Sequence, residues 1–112
     1  VVWKAAIELG VQCYEATKRF PREEAYRLTS QMRRAAASIA ANIAEGHGRD
    51  GTAHFIQFLR VGQGSLKELE THLILSQRVG LLKETECQAL LSQGDDIGRM
   101  LRSLIRNLQK KI

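Results

Sequence analysis

The sequence predicts an all-α fold, an antiparallel up-and-down four-helix bundle. Three observations carry this. Placed at 100° per residue, the apolar side chains of four successive segments collect on one face each, which is the period of amphipathic helices. The segments are joined by connections of about 3 to 8 residues, the length that lays consecutive helices side by side and antiparallel. The composition includes one proline and 5% aromatic residues, too little turn and strand chemistry for a sandwich or barrel.

Residues 2 to 20 gather Val2, Trp3, Ala6, Ile7, Gly10, Cys13, Tyr14, Thr17 and Phe20 on one wide stripe. Lys4, Glu8, Gln12, Glu15, Lys18 and Arg19 lie opposite, and Pro21 closes the helix by pushing the residue before it out of the helical region. A second helix starts at Thr29 or Ser30, either able to cap it, with Glu23 to Leu28 available for a preceding turn. Its stripe is Met32, Ala35, Ala36, Ile39, Ile43 and Gly46, and Gly46-His47-Gly48 reads as a left-handed glycine stop. Ala35, Ala36, Ala37, Ala40, Ala41 and Ala44 leave its backbone nearly bare, so neighbouring helices can approach on more than one face.

Asp50-Gly51-Thr52 opens a third helix that runs to about Val79, aligns Phe55, Phe58, Leu59, Gly62, Leu66, Leu69 and Leu73, and stops at Gly80. The fourth begins around Glu84 and continues to the C-terminus with Cys87, Leu90, Leu91, Ile97, Leu101, Leu104, Ile105, Leu108 and Ile112 on its stripe. Gly94 and Gly98 each cost it about 1 kcal/mol relative to Ala, which leads one to expect a bend near Gln93 to Asp96.

At 112 residues, 44% hydrophobic and 26% charged, residues 1–112 form a single globular domain large enough to bury a core without disulfides or metal. No stretch approaches the ~18 uninterrupted apolar residues of a membrane span. Val1 to Gly10 carries Lys4 and Glu8 and does not read as a secretory leader. Cys13 and Cys87 are too few and too far apart for a disulfide scaffold or zinc knuckle, so two free thiols in a reducing cytoplasm are expected.

Catalytic chemistry finds no support. His47, His54 and His72 have no metal-ligand spacing, no Glu-x-x-His occurs, and neither cysteine has a histidine near it in sequence. Gly46-His47-Gly48-Arg49 follows a helix instead of feeding one after a strand, so it reads as a helix end and not a phosphate cradle. No enzyme activity, metal or cofactor is expected.

The charges are more informative. Seventeen Lys and Arg against twelve Asp and Glu give a net charge of +5, which favours a polyanionic partner. From Arg99 onward the chain contains no acid, and Arg99, Arg102, Arg106 and Lys110 recur at helical intervals of three, four and four. A sparser row, Arg60, Lys67 and Arg78, lies on the third helix among Glu68 and Glu70. Such rows neutralise phosphates, although cations near a helix C-terminus also meet its dipole. No aromatic residues interleave them to stack bases. Asn42, one turn after Ser38 beside the second stripe, either bonds a neighbouring helix or contacts another subunit.

Thr29-Ser30-Gln31-Met32-Arg33-Arg34-Ala35-Ala36, Ser38-Ile39, Asn42-Ile43-Ala44-Glu45-Gly46, Gly48-Arg49, Phe55, Phe58-Leu59 and Gly64-Ser65-Leu66-Lys67-Glu68-Leu69-Glu70 closely resemble the bacterial four-helix-bundle family named for the intervening sequences of 23S ribosomal RNA genes. The resemblance spans essentially the whole chain. Ala40 stands where the family often has proline, Arg27 where glycine is common and His47 where Tyr or Phe is usual. The resemblance implies a ring-shaped homopentamer that binds nucleic acid, with Asn42 and Glu45 as candidates for polar contacts between subunits. It extends to the accessory variability proteins of diversity-generating retroelements, which serve a reverse transcriptase and its template RNA. Two functions are therefore expected to compete: sequence-independent phosphate binding of RNA or DNA, and a ring-shaped adaptor that docks a protein such as a reverse transcriptase.

Overall fold

The computed structural model describes residues 1–112. Its four helices are α1 (Val2–Thr17), α2 (Leu28–His47), α3 (Thr52–Arg78) and α4 (Glu84–Gln109), with one 3-10 turn at Arg22–Glu24. Contacts run α1 to α2, α2 to α3, α3 to α4 and α4 back to α1. The helices therefore form a square with α1 diagonal to α3, in a rod of 47 × 23 × 18 Å. No helix is long and apolar enough to cross a membrane.

The core is one cluster in which Leu9, Met32, Ile39, Leu59, Leu69, Leu73, Ile97 and Leu101 are fully buried. The stripes of α2 and α4 face it as their periodicity predicts, apart from exposed Ile112 beyond the end of α4. The wide stripe of the first helix does not go in whole. Of its residues Ala6, Cys13, Thr17 and Phe20 are buried, joined by Leu9 and Ala16 from beside the stripe, whereas Trp3, Ile7 and Tyr14, with neighbouring Val11, are 43, 42, 44 and 47% exposed. Periodicity counts apolar positions, and here they cover more of the circumference than α2 and α4 can cover.

Two helix ends depart from expectation. α1 stops at Thr17, whose hydroxyl donates to the Cys13 carbonyl at 2.8 Å, and the following turn swings Phe20 into the core. The left-handed glycines are Gly51 and Gly80, at φ 94° and 85°, which begin and end α3. Gly48 keeps a right-handed φ of −80°, and Gly46 lies inside α2, where a Cβ would stand 2.7 Å from Phe58 Cβ. Its absent side chain lets α2 and α3 close. α2 also passes through Ala40 as one helix.

α4 is continuous, without the break expected near Gln93 to Asp96. Gly94 and Gly98 are buried there, and Cβ atoms on them would lie 3.3 and 3.5 Å from the two terminal methyls of Leu66. The glycines thus accept a side chain of α3 against bare backbone, and that packing offsets their low helix propensity.

Candidate nucleic-acid interface

Because α3 and α4 are antiparallel neighbours, the first half of α3 lies beside the second half of α4. Residues that are ~40 positions apart in sequence meet along this seam, and basic residues from both helices line it. One cleft of about 380 Å³ is bordered by Gln63, Lys67, Glu70, Asp95, Arg99 and Arg102 over the bare glycines Gly64, Gly94 and Gly98. The next, about 300 Å³, is bordered by Arg60, Gln63, Arg102, Ile105, Arg106 and Gln109. Gln63 and Arg102 belong to both, so the two form one groove.

The counter-charges divide this groove. Lys67 pairs with Glu70 at 3.1 Å, and Arg99 pairs with Asp96, one turn earlier on its own helix. That corrects the picture of Arg99 in a row facing no acid: the acid lies just upstream of the row. Arg60, Arg102 and Arg106 take part in none of the chain's ion pairs, and no carboxylate borders their cleft. Lys110 caps the end of α4 outside both clefts, and Arg78, in the last turn of α3, lies at the opposite end of the bundle. The structure therefore brings Arg60, Lys67, Arg99, Arg102 and Arg106 together and leaves Arg78 and Lys110 apart. Gln63 and Gln109 were not evident from sequence, although each follows an arginine of the groove by three residues, on the same flank of its helix.

Arg33, part of the conspicuous Met32-Arg33-Arg34 run, is committed elsewhere. Its Nε donates to Thr17 Oγ1 at 2.8 Å, and its guanidinium lies 4.7 Å from the centre of the Tyr14 ring. It ties α2 to the C-terminal end of α1, where a cation also suits the helix dipole.

Asn42 donates its side-chain amide to Ser38 O at 2.8 Å and to Ser38 Oγ at 3.0 Å. Ser38 Oγ in turn shares a 2.8 Å hydrogen bond with Ser65 Oγ on α3. The polar link between these helices is thus made by the serines and oriented by Asn42, whose Cβ lies across from Gly62. Glu45 is exposed and pairs with Arg49, whose guanidinium lies 5.3 Å from the Phe58 ring centre.

On the other side of the bundle an apolar groove of about 540 Å³ runs between α1 and α2. Trp3, Ile7, Val11 and Tyr14 stand along it, and Ala37, Ala40, Ala41 and Ala44 line its α2 side. Gly10 lies in it, with no atom within 4 Å of where its Cβ would be.

The two thiols are free and buried. Burial pushes Cys13 up to about 12; it also raises Cys87, with the Glu84 carboxylate adding to the shift. Both stay protonated near neutrality and are poor nucleophiles. No cluster of His, Cys, Asp and Glu is arranged to hold a metal ion.

No curated protein matches the sequence. Among solved structures, a crystal structure of a protein with unknown function from the S23 ribosomal protein family of Bacteroides thetaiotaomicron superposes with a TM-score of 0.84. The match covers 94% of this chain and 98% of that one at 24% identity, and so attests a shared fold. The family described as 23S rRNA-intervening sequence protein matches residues 1–103, from the start of α1 well into α4. The Ser38–Asn42 seam, the Gly46 approach and the groove residues up to Arg102 all fall within that match, and the chain belongs to the 23S rRNA-intervening sequence protein family.

Proposed function

We propose that this is a basic, oligomeric, non-enzymatic protein of the cytoplasm that binds nucleic acid, RNA before DNA, through phosphate contacts along the α3/α4 groove. The observation that carries the reading is the convergence of Arg60, Arg102 and Arg106 from two helices on one cleft with no acid in it. Arginines lining one cleft with no carboxylate to offset them favour an anion, and a phosphate supplies the charge while accepting forked hydrogen bonds. Lys67 and Arg99 flank the cleft with their own side chains exposed, Arg99 in a surface pair worth little, so a phosphate can recruit them too.

The test is an anisotropy titration of structured RNA and duplex DNA at two salt concentrations, comparing the parent with the Arg60→Gln, Arg102→Gln, Arg106→Gln triple variant. Each phosphate contact contributes about 0.7 to 0.9 to the slope of log affinity against log salt. The triple variant is therefore expected to lose about 2 to 3 from that slope and to weaken binding to all sequences alike. Unchanged affinity and slope would reject the reading.

The α1/α2 groove supports assembly, and its occupant in this reading is a second copy of the chain. Trp3, Ile7, Val11 and Tyr14 expose apolar surface on α1, while Val61 in the first half of α3, and Leu75 with Val79 at its far end, expose further apolar side chains. α3 is diagonal to α1. Two different patches on opposite corners suit a head-to-tail contact that closes into a ring, in keeping with the homopentamer that the resemblance implies. Five copies of the basic groove on one particle could raise affinity by about 10² to 10⁴ where the ligand reaches several at once. A monodisperse species of 12.6 kDa in light scattering at micromolar concentration would reject assembly. The adaptor reading rests on the same apolar face: if the ring forms and the triple variant binds RNA unchanged, the ring's protein partner, such as a reverse transcriptase, becomes the favoured ligand.

A further inference from the structure

We infer that the Arg60, Arg102 and Arg106 cleft receives a phosphate dianion, the terminal phosphate of a nucleic-acid strand, in preference to an internal phosphodiester; this deepens the nucleic-acid reading above and rests on it. The argument begins with how charge is distributed along the groove. In its first half Glu70 and Asp95 border the same cleft as Lys67, Arg99 and Arg102 and offset most of their charge. Beyond Arg102 the acids stop: Arg60 and Arg106 line a cleft of about 300 Å³ together with Arg102, which the first half shares, and its remaining lining side chains, Gln63, Ile105 and Gln109, are neutral. An internal diester brings one negative charge and two unesterified oxygens. A terminal phosphate brings close to two charges at neutral pH and three such oxygens. Attraction scales with the product of the charges, and the monoester's third unesterified oxygen gives arginines arriving from two helices one more acceptor than a diester offers.

The position of the cleft agrees with its charge. α3 begins at Thr52, so its side of the groove runs out about two helical turns before Arg60.

The experiment uses the full chain and a short single-stranded RNA in three forms: with a 5′ phosphate, with a 3′ phosphate and with hydroxyls at both ends, in competition anisotropy at fixed salt. One phosphorylated form is expected to bind about tenfold more tightly than the hydroxyl form, the scale of one added charged hydrogen bond, and inorganic phosphate is expected to erase that advantage. A variant with Lys at all three positions keeps the charge but lacks the forks, so it is expected to retain affinity for the hydroxyl form and lose most of the end preference. Circular dichroism and light scattering verify that this variant folds and assembles like the parent. Equal affinity for all three RNAs, with binding still weakened by the triple Gln variant, would overturn this inference and leave the cleft a contact for internal phosphates. Binding indifferent to both the end groups and the triple Gln variant would overturn the nucleic-acid reading itself.

Discussion

Gly46→Ala pits helix propensity directly against packing. In an open helix the substitution stabilises by about 1 kcal/mol, and by less here because Gly46 is one residue from the end of α2. Against this, the new Cβ would stand 2.7 Å from Phe58 Cβ, 3.0 Å from Phe55 Cδ1 and 3.3 Å from Phe55 O. Ordinary carbon contacts are about 3.5 to 4.0 Å, so α3 must retreat by roughly 1 Å at this end. Phe58 Cβ is anchored to its own backbone, and no rotamer change relieves the contact. Overpacking of this kind costs about 1 to 3 kcal/mol, so the net expectation is a loss of about 1 to 2 kcal/mol. The assay is urea unfolding followed by circular dichroism at one protein concentration, read as a lower midpoint at constant slope. Gly94→Ala is the matched control: its nearest neighbours are the flexible ends of Leu66 and Glu70, at 3.3 and 3.7 Å, and its effect is expected within about 0.5 kcal/mol of zero. A Gly46→Ala protein as stable as its parent would refute the close approach of α2 to α3.

Two further expectations separate structure from binding. Cys13 titrates at 9.0 in an ordinary environment and at about 12 when buried, so between those values the unfolded chain holds fewer protons than the folded one. Stability from this group is complete below pH 9.0 and falls as pH rises toward about 12, by at most about 1.4 kcal/mol per pH unit. A Cys13→Val variant should show a shallower alkaline loss in urea midpoints measured across this range, and an identical slope would mean the thiol is not sequestered. Arg33→Met removes the bond to Thr17 and the stacking on Tyr14. It is expected to cost about 1 to 2 kcal/mol of stability and to leave RNA affinity unchanged at a temperature where both proteins are folded. Intact stability with weakened binding would assign Arg33 to the ligand instead.

Much of the fold is legible in the sequence because amphipathic period and helix punctuation are local. α2, α3 and the start of α4 lie within one or two residues of where Thr29, Gly46, Thr52, Val79 and Glu84 set them. What is not legible depends on neighbours. Nothing in the spacing of Gly94 and Gly98 announces that Leu66 will fill the space they leave, so the pair reads as a weak point when it is a contact. Gly46 likewise has the sequence context of a helix stop, and only the position of Phe58 reveals it as an approach site. On α1 the difficulty is one of width: Trp3, Ile7 and Tyr14 belong to the same apolar arc as Ala6 and Cys13, and only the placement of α2 and α4 decides which part of it stays outside.

The basic residues follow the same logic with a functional consequence. Arg99, Arg102, Arg106 and Lys110 are equivalent when counted along one helix, because a linear count includes neither the acid one turn back nor the residue opposite. In the bundle Asp96 takes up Arg99, the end of the helix carries Lys110 away from the groove, and Arg60 arrives from α3 to stand with Arg102 and Arg106. The concentration of unbalanced charge is therefore a property of two helices, located where the carboxylates of both have run out. A substitution on α3, Arg60→Gln, should consequently weaken nucleic-acid binding more than one on α4, Lys110→Gln, even though Lys110 belongs to the denser row. The opposite order in a salt-matched titration would return the function to the α4 stripe and leave the cross-helix groove without a role.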